Sequence, residues 1–435
     1  MTALPAPSEV LKRLIQFDTT NPPGNEAACI QYIQSLLNDV GIKSQIYEKV
    51  AGRPNLVARL QGTGNAAPLL LYGHVDVVTT ASQQWTYPPF DAVEADGYIW
   101  GRGALDMKGG VAMMVSAFLR AKEHNSSLNG DVILCILSDE EAGGRVGAKF
   151  MVDEHPTLFE GVKYALGEFG GFTLYIGGKR FYPIMIAEKQ LCAIRATVQG
   201  AAGHGSMPIR GAAMAKLARM LTLLDKKRLP VHITPAVRLM MESLANGLSG
   251  APKLMIKQLL NPMLTDTILD LMGEQGRTFD PMLHNTVSPT ILEASNKINV
   301  IPAQVTLEMD GRLLPSLTPD VILREVQSLV GDDVQLDIIN HDPYPSEPDM
   351  GLFATLANIL RQADSTGIPL PLVLPGVTDG RFFAQLGIQT YGFLPMQLPQ
   401  DFNFSATIHA ANERIPTAAL EFGTQAILQV LEQSI

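Results

Sequence analysis

The first part of the chain alternates short apolar runs with segments of helical periodicity. Apolar runs at 55–60, 69–72 and 131–137 are too short for helices of a soluble protein, so we predict buried strands there. At 8–17 and 109–122, apolar residues recur every three or four positions, which predicts helices. Strands that alternate with helices indicate an α/β sheet covered on both faces.

A different order of elements begins at Glu188 and lasts to about 342. After that, strands and helices alternate again as in the first part of the chain. The order is strand, helix, strand, strand, helix, strand, which is that of a ferredoxin-like layer. These elements are predicted at 191–198, 208–224, 284–293, 297–312, 319–330 and 334–341. An additional stretch at about 230–281 is rich in Leu and Met and is predicted to be a helical insertion. It could cover a pocket, form an interface or simply pack against its neighbours.

We therefore predict one domain, formed by residues 1–187 and 343–435, that is split by an inserted domain at 188–342. The predicted fold class is α/β, with a mixed sheet in the split domain and a ferredoxin-like α+β insertion. The length of 435 residues agrees with two domains, because a single core seldom serves so long a chain.

Composition narrows the classes of partner. Apolar residues make up 46% of the chain and charged residues 17%, as in a well-packed globular protein. The net charge of −10 argues against nucleic acid and anionic membranes as partners. Three widely spaced cysteines give no disulfide framework, and Cys135, in an apolar run, is predicted to be a reduced core residue. With no signal peptide and no apolar stretch of membrane-spanning length, we expect a cytoplasmic protein.

Polar residues follow two of the predicted strands. His74 and Asp76 come directly after the run at 69–72, where open α/β sheets bind their ligands. His74 is a candidate metal ligand, and Asp76 could orient its ring by accepting the other N–H. Taken alone, such a His-x-Asp pair is more often a surface turn. The strand at 131–137 likewise ends in the acidic run Asp139–Glu141, which an acidic helix start would explain equally well.

Five residues together offer two imidazoles and three carboxylates: His74, Asp106, Glu141, Glu168 and His409. Mixed nitrogen and oxygen ligands suit Zn²⁺, with Mn²⁺ or Co²⁺ as alternatives. A carboxylate that bridges two ions would give a two-metal site able to activate water. Glu140, next to a ligand but facing elsewhere, would then be free to accept the proton of that water.

Eight motifs occur in one order across nearly the whole chain, and together they resemble a known family. They are GHVDVV, W-x-x-PPF, GRGALDMKGG, SDEE, GHGSMP, NVIPAQ, TDGRFF and HAANERIP. The chain resembles the dinuclear-zinc exopeptidases and deacylases, a family that includes acetylornithine deacetylase, succinyl-diaminopimelate desuccinylase, aminoacylase, glutamate carboxypeptidase and carboxypeptidase S.

The resemblance implies a role for each candidate at the metal centre. Asp106 would bridge two ions, one completed by His74 and Glu168 and the other by Glu141 and His409. It further implies that Asp76 orients His74, that Glu140 is the general base and later the acid, and that the peptide between Asp106 and Met107 is cis.

The resemblance also implies functional residues elsewhere in the chain. His204 would reach the active site of a partner subunit and stabilise the oxyanion, in a homodimer formed through the ferredoxin-like domain, which would serve as a lid. Asn299 and Arg312 would bind the substrate, beside a loop that contains Gly376 and Thr378. From the residues alone, His204 could instead cap the next helix, and Arg312 could be an ordinary surface residue.

The implied activity is metal-dependent hydrolysis of an amide bond next to a free carboxylate. GEFGG and GHGSMP are more similar to the carboxypeptidase S and N-acyl-amino-acid hydrolase branch, so we expect a peptide or N-acyl amino acid as substrate. DMKGG and TTNPPG favour a biosynthetic deacylase instead, although the insertion at 230–281 departs from the compact lid of desuccinylases. A catalytically silent, metal-binding member is a third possibility, but such a protein would be expected to lose Glu140 or a ligand.

Overall fold

The computed structural model describes residues 4–345 and 347–433. The chain forms two compact units. The first consists of the described residues up to Ile186, of Asp349–Leu372, and of those from Thr378 onward. The second consists of the described residues of Ala187–Pro348 and of Val373–Val377.

The α-helices of the described residues include four that fill the predicted insertion and confirm its helical character, α6 to α9. In chain order the helices are α1 Pro7–Ile15, α2 Ala27–Asp39, α3 Lys108–Glu123, α4 Ala148–Glu154, α5 Ala213–Lys226, α6 Pro235–Gly247, α7 Gly250–Gln258, α8 Thr265–Met272, α9 Glu274–Leu283, α10 Pro319–Val330, α11 Phe353–Ala363, α12 Gly380–Ala384, α13 Phe404–Thr407 and α14 Thr417–Gln433. None of them combines the length and the apolar character needed to span a bilayer.

The strands form one large sheet, one four-stranded sheet and two small ones. In chain order they are β1 Ser44–Glu48, β2 Pro54–Leu60, β3 Leu69–His74, β4 Val93–Ala95, β5 Tyr98–Trp100, β6 Val132–Leu137, β7 Tyr164–Gly167, β8 Leu174–Ile176, β9 Lys179–Glu188, β10 Gln190–Gln199, β11 Gly203–His204, β12 Thr286–Glu293, β13 Val300–Ile301, β14 Gln304–Leu313, β15 Val334–His341, β16 Ile368–Leu374, β17 Gln389–Gly392 and β18 Arg414–Pro416.

The large sheet has the order β1-β2-β6-β3-β7-β17-β9-β16. Its centre is parallel, since β3 pairs in parallel with β6 and β7, and β17 with β7. The pairs β1–β2, β2–β6 and β17–β9 are antiparallel, so the sheet is mixed, as predicted. Every residue of β3 and β6 is buried. Their continuous apolar sequences fit strands that are covered on both faces.

The second unit contains an antiparallel sheet in the order β12-β14-β10-β15. Together with α5 and α10, this arrangement is ferredoxin-like and confirms the predicted fold class. Buried positions recur at every second residue of β14, so one face of the sheet enters the core. Val198, Leu217 and Val326 from β10, α5 and α10 belong to this core.

Two predicted elements of the second unit were wrong in extent. The strand expected at 297–312 is divided into β13 and β14, because Pro302 between them has no N–H to give to a sheet. The helix expected from 208 starts only at Ala213, because Gly211 takes a positive φ of +74° and breaks the helical path.

Candidate metal centre

The carboxyl ends of three neighbouring strands bring the predicted ligands of the first unit together. His74 is the last residue of β3, Glu168 follows β7 directly, and the acidic turn with Glu140 and Glu141 follows β6. Because β3 runs parallel to both β6 and β7, these ends meet at one edge of the sheet. This is the edge at which open α/β sheets bind their ligands.

Two groups of potential ligands share one residue. His74, Asp106 and Glu168 form the first group, and Asp106, Glu141 and His409 form the second; within each group the donor atoms lie within 4.8 Å of one another. The Nε2 atom of His74 is 3.3 Å from Asp106 Oδ1. The Nε2 atom of His409 is 3.1 Å from the other oxygen, Oδ2. The two oxygens of Asp106 therefore face different groups, as a bridging carboxylate requires.

The ring of His74 is fixed in the orientation of a metal ligand. Its Nδ1 lies 3.0 Å from the carbonyl oxygen of Asp76 and 3.4 Å from the Asp76 carboxylate, so Nδ1 carries the proton and donates. Its Nε2 is buried and has no hydrogen-bond partner among the described residues. A buried nitrogen lone pair that faces carboxylates is what a metal ion would satisfy, so these residues fit a divalent cation.

Asp76 also holds the turn after β6. Its Oδ1 accepts the backbone N–H of Glu140, and its Oδ2 accepts that of Glu141, each at 3.1 Å. The side chain of Asn21 donates to the same carboxylate at 2.9 Å. Asp76 thus orients the imidazole of His74 through its backbone carbonyl and positions the two glutamates through its carboxylate.

The charges at this edge are strongly coupled. Burial, followed by repulsion from Glu168, raises the pKa of Glu140 well above its ordinary value. Burial also raises the pKa of Glu168, to about 7. Hydrogen bonds with Asp106 and Glu141 raise the pKa of His409 to about 10. These shifts favour protons on the glutamates and on His409. A divalent cation would displace those protons and compensate the negative charge of the carboxylates in their place.

Two further candidate ligands, Asp106 and His409, lie in loops. Asp106 precedes α3, and the peptide between Asp106 and Met107 is cis, which confirms that expectation. His409 lies between α13 and β18 with a positive φ of +58°, and its side chain is half exposed. Neither residue is placed by the pairing of strands, so each depends on hydrogen bonds of its loop.

The structure places two of the predicted residues of the second unit side by side. His204 in β11 pairs with Val300 in β13, and the carbonyl of Asn299 accepts the N–H of Gly205 at 2.8 Å. His204 and Asn299 are both exposed. The Nδ1 of His204 lies 2.7 Å from the hydroxyl of Ser206 and accepts the backbone N–H of that residue at 3.3 Å. Nε2 is then the donor that His204 can present to a ligand.

The remaining predicted residues have clear local roles. Arg312 donates from Nε and Nη2 to the carboxylate of Asp310, at 2.6 and 2.9 Å, and its Nη1 is buried without a partner among the described residues. Thr378 is buried, and its hydroxyl accepts the N–H of Gly380 at 2.9 Å. Gly376 is half buried in the loop between β16 and α12.

Three charged residues beside the metal groups were missed. Arg381, in TDGRFF, lies 3.9 Å from Glu140 and donates to the carbonyl of Gly143 at 3.2 Å. Arg102 and Glu413, in GRGALDMKGG and HAANERIP, form a buried ion pair of 2.6 Å. The signal was available, because each is a charged residue in a motif that already contained a candidate site residue.

Comparisons with known proteins all indicate the same family. A family model described as peptidase family M20/M25/M40 matches residues 70–433. The chain is 30% identical over 417 residues to the N-fatty-acyl-amino acid synthase/hydrolase PM20D1 of Xenopus tropicalis, which covers 93% of this chain and 80% of that protein. It is 28% identical over 383 residues to a probable succinyl-diaminopimelate desuccinylase of Staphylococcus aureus (strain MSSA476), which covers 86% of this chain and 85% of that protein.

A solved structure shares the fold. The M20 family metallo-carboxypeptidase Sso-CP2 from Sulfolobus solfataricus superposes with a TM-score of 0.69 and covers 98% of each chain. At 16% sequence identity, this likeness concerns the fold.

Because Asp106 belongs to both ligand groups, its substitution should have a distinctive effect. Asp106→Asn is expected to weaken the binding of both ions, whereas His409→Ala should weaken only one. Each loss should reach at least about 100-fold, since even the hydrogen-bond partners of metal ligands are worth about 10- to 100-fold in affinity. Titration of the metal-free protein with Zn²⁺ against a chelator of known affinity measures both sites.

Asp153→Asn is the matched control, because Asp153 is an exposed carboxylate that forms an ion pair with Lys149 and belongs to neither ligand group. It should bind two ions like the wild type. Two ions bound to Asp106→Asn with unchanged affinity would show that Asp106 is not shared.

Proposed function

The chain belongs to peptidase family M20/M25/M40, and on this basis we propose that it is a metal-dependent hydrolase of an amide bond next to a free carboxylate. One observation carries the proposal. Two ligand groups share Asp106, while Glu140 lies next to a ligand and belongs to neither group. This combination supplies a two-ion centre together with a carboxylate that is free to move protons.

The residues of the two groups would hold two divalent ions, which we propose are zinc, with cobalt or manganese as alternatives. Bound there, the ions would activate a water molecule and polarise the carbonyl of the scissile amide. His74 and Glu168 would hold one, Glu141 and His409 the other, and Asp106 would contribute an oxygen to each.

Glu140 moves the proton. Its carboxylate accepts a proton from the attacking water and later gives it to the nitrogen of the leaving amine, so no proton is gained or lost in the cycle. Burial raises the pKa of Glu140, which makes its carboxylate a stronger base. Asp76 holds the backbone of Glu140 and so aims its carboxylate.

Residues of the second unit would recognise the substrate. We assign His204 as a donor to the oxyanion, which suits the Nε2 donor left by its Nδ1 contacts. We assign Arg312 and Asn299 to the substrate, with the carboxylate bound by Arg312 Nη1, the donor that Asp310 leaves unused. The loop that contains Gly376 and Thr378 would lie beside the substrate.

The substrate class is proposed from the relatives. The name of the Xenopus relative describes a hydrolase of N-fatty-acyl amino acids, and the solved relative is described as a metallo-carboxypeptidase. We therefore propose an N-acyl amino acid or a short peptide with a free carboxylate. The desuccinylase relative keeps a biosynthetic deacylase as the alternative. The four insertion helices α6–α9 count against that alternative, because a compact lid would not contain them.

A substrate screen tests the proposed function. N-acyl amino acids of increasing acyl length, dipeptides, N-acetylornithine and N-succinyl-diaminopimelate are incubated with protein loaded with Zn²⁺, Mn²⁺ or Co²⁺. We expect hydrolysis of N-acyl amino acids or dipeptides, loss of activity on chelation, and recovery when the metal is restored. Full activity in protein shown by elemental analysis to be metal-free would overturn the proposal.

Glu140→Gln separates proton transfer from metal binding. The change keeps the size of the side chain and removes the base, so kcat should fall about 10²- to 10⁴-fold. Metal content should remain at two ions, since Glu140 lies in neither ligand group. The surface variant Glu160→Gln should behave like the wild type. If Glu140→Gln loses metal or keeps its kcat, the roles of Glu140 and Glu141 are wrongly assigned.

We also propose a homodimer in which His204 acts on the partner's site. His204 lies in the second unit, whereas all five candidate ligands lie in the first. β12 is an edge strand of the four-stranded sheet, and its last six residues are exposed, which supports pairing of two copies at this edge. His204→Ala should then lower kcat, since an oxyanion donor is worth about 3–4 kcal/mol, with little change in KM.

Complementation tests the action in trans. His204→Ala and Glu140→Gln chains, each nearly inactive, are mixed under conditions of subunit exchange. A heterodimer contains one site with both residues intact, so activity should rise towards about half the wild-type value per heterodimer. An exposed histidine variant, His124→Ala, should be active on its own. Demonstrated exchange without recovered activity would place His204 in its own subunit's site or remove its role.

A further inference from the structure

A buried ion pair beside the metal groups takes part in neither group. Arg102 and Glu413 are 1% and 0% exposed, and Nη1 of Arg102 donates to Glu413 Oε2 at 2.6 Å. A buried ion pair adds little to stability compared with well-packed apolar side chains of the same volume. The contacts that this pair makes with its surroundings indicate a different use.

Glu413 accepts four hydrogen bonds, all from residues that lead up to the bridging aspartate. Oε2 accepts from Arg102 and from the N–H of Gly103, the latter at 3.1 Å. Oε1 accepts the N–H of Leu105 at 2.8 Å and that of Asp106 itself at 3.1 Å. One carboxylate therefore fixes the backbone from which the side chain of Asp106 starts.

Arg102 connects Glu413 to His409, the other candidate ligand that lies in a loop. Its Nη2 donates to the carbonyl oxygen of His409 at 3.3 Å and to the side-chain oxygen of Gln83 at 2.8 Å. Gln83 Nε2 donates in turn to the His409 carbonyl at 2.9 Å. The guanidinium also lies over the ring of Trp85, 5.1 Å from its centroid. These contacts hold His409 in a positive-φ conformation that residues other than glycine seldom adopt.

We infer that Arg102 and Glu413 are positioning residues for the group Asp106–Glu141–His409, an inference that rests on the proposed metal-dependent function. They act on the backbone of Asp106 and His409 and do not themselves ligate. The first group depends on the pair less, because His74 ends β3 and Glu168 directly follows β7, where sheet pairing places them. Disturbing the pair should therefore weaken the binding of the ion at Asp106, Glu141 and His409 more than that of the other ion, which shares only Asp106 and keeps two ligands placed by the sheet.

Glu413→Gln is the most direct test. The amide keeps the size of the side chain, but its nitrogen cannot accept a hydrogen bond. Either the N–H groups of Leu105 and Asp106, or Arg102 and the N–H of Gly103, then lose their acceptor. Arg102→Lys is a second variant, which keeps the buried charge but not the fork that joins Glu413 to His409.

The matched control is Glu421→Gln. Glu421 forms an ion pair of 2.6 Å with Arg120, which joins α14 to α3. The pair is partly exposed, and neither residue belongs to a ligand group. Metal-free proteins are titrated with Zn²⁺ against a chelating competitor, and circular dichroism checks their folding. In Glu413→Gln and Arg102→Lys we expect the site of Asp106, Glu141 and His409 to weaken about 10- to 100-fold and the other site, which shares only Asp106, to weaken less, and Glu421→Gln should match the wild type.

The outcomes separate this inference from the proposed function. A wild-type protein that fails to bind two ions contradicts the two-ion centre. A wild-type protein that binds two ions, with variants that bind both as tightly, overturns the positioning role. Equal weakening of both sites also overturns it, because a general loss of structure would act on both. If Glu413→Gln does not fold, Arg102→Lys decides by the same criteria.

Discussion

Repulsion among buried carboxylates is the constraint on which this site depends. Asp106, Glu141 and Glu168 meet at the buried edge of the large sheet, in groups whose donor atoms lie within 4.8 Å. Two like charges about 4 Å apart repel by roughly 4 kcal/mol even at an effective dielectric constant near 20. Burial weakens hydration, so the sheet can keep these charges only with compensation from the imidazoles of His74 and His409, from protons, or from a cation. A divalent ion compensates two carboxylates at once and fixes their geometry.

Compensation of charge does not by itself place the candidate ligands, and the fold places them in two ways. His74 and Glu168 are positioned at the ends of parallel strands, where the sheet's hydrogen bonds set their spacing. Asp106 and His409 lie in loops, and their backbones are held by side chains that do not ligate. Asp76 does the same for the turn after β6. The backbone of Asp106 is held by carboxylate-to-amide hydrogen bonds, which are strong because the acceptor is charged, and the backbone of His409 is held by side chains that donate to its carbonyl.

The difference between residues placed by strands and residues placed by loops explains which features of the structure could be predicted from the sequence. The family, the mixed sheet and the ferredoxin-like layer were predicted from ordered motifs and apolar runs, and they are confirmed. Arg102 and Glu413 both lie in recognised motifs, but the contacts that they make could not be predicted. The two residues are 311 positions apart, and a hydrogen bond to a backbone amide leaves no trace in the residue that donates it. The same applies to Arg312, which lies outside the eight motifs, because its sequence alone does not show that Asp310 takes two of its donors.

Glu140 and Glu141 show how contacts with the backbone can direct two adjacent side chains to different neighbours. Asp139 takes a positive φ of +76° and starts a short 3₁₀ turn, Glu140–Ala142, in which successive side chains point in different directions. Glu141 faces His409 at 3.4 Å, whereas Glu140 faces Arg381. Because Asp76 binds the N–H groups of both, neither can rotate into the other's place without breaking a bond to the residue that also orients His74. The proposed division into ligand and proton carrier would thus be set by the backbone of one turn, since the two side chains are chemically identical.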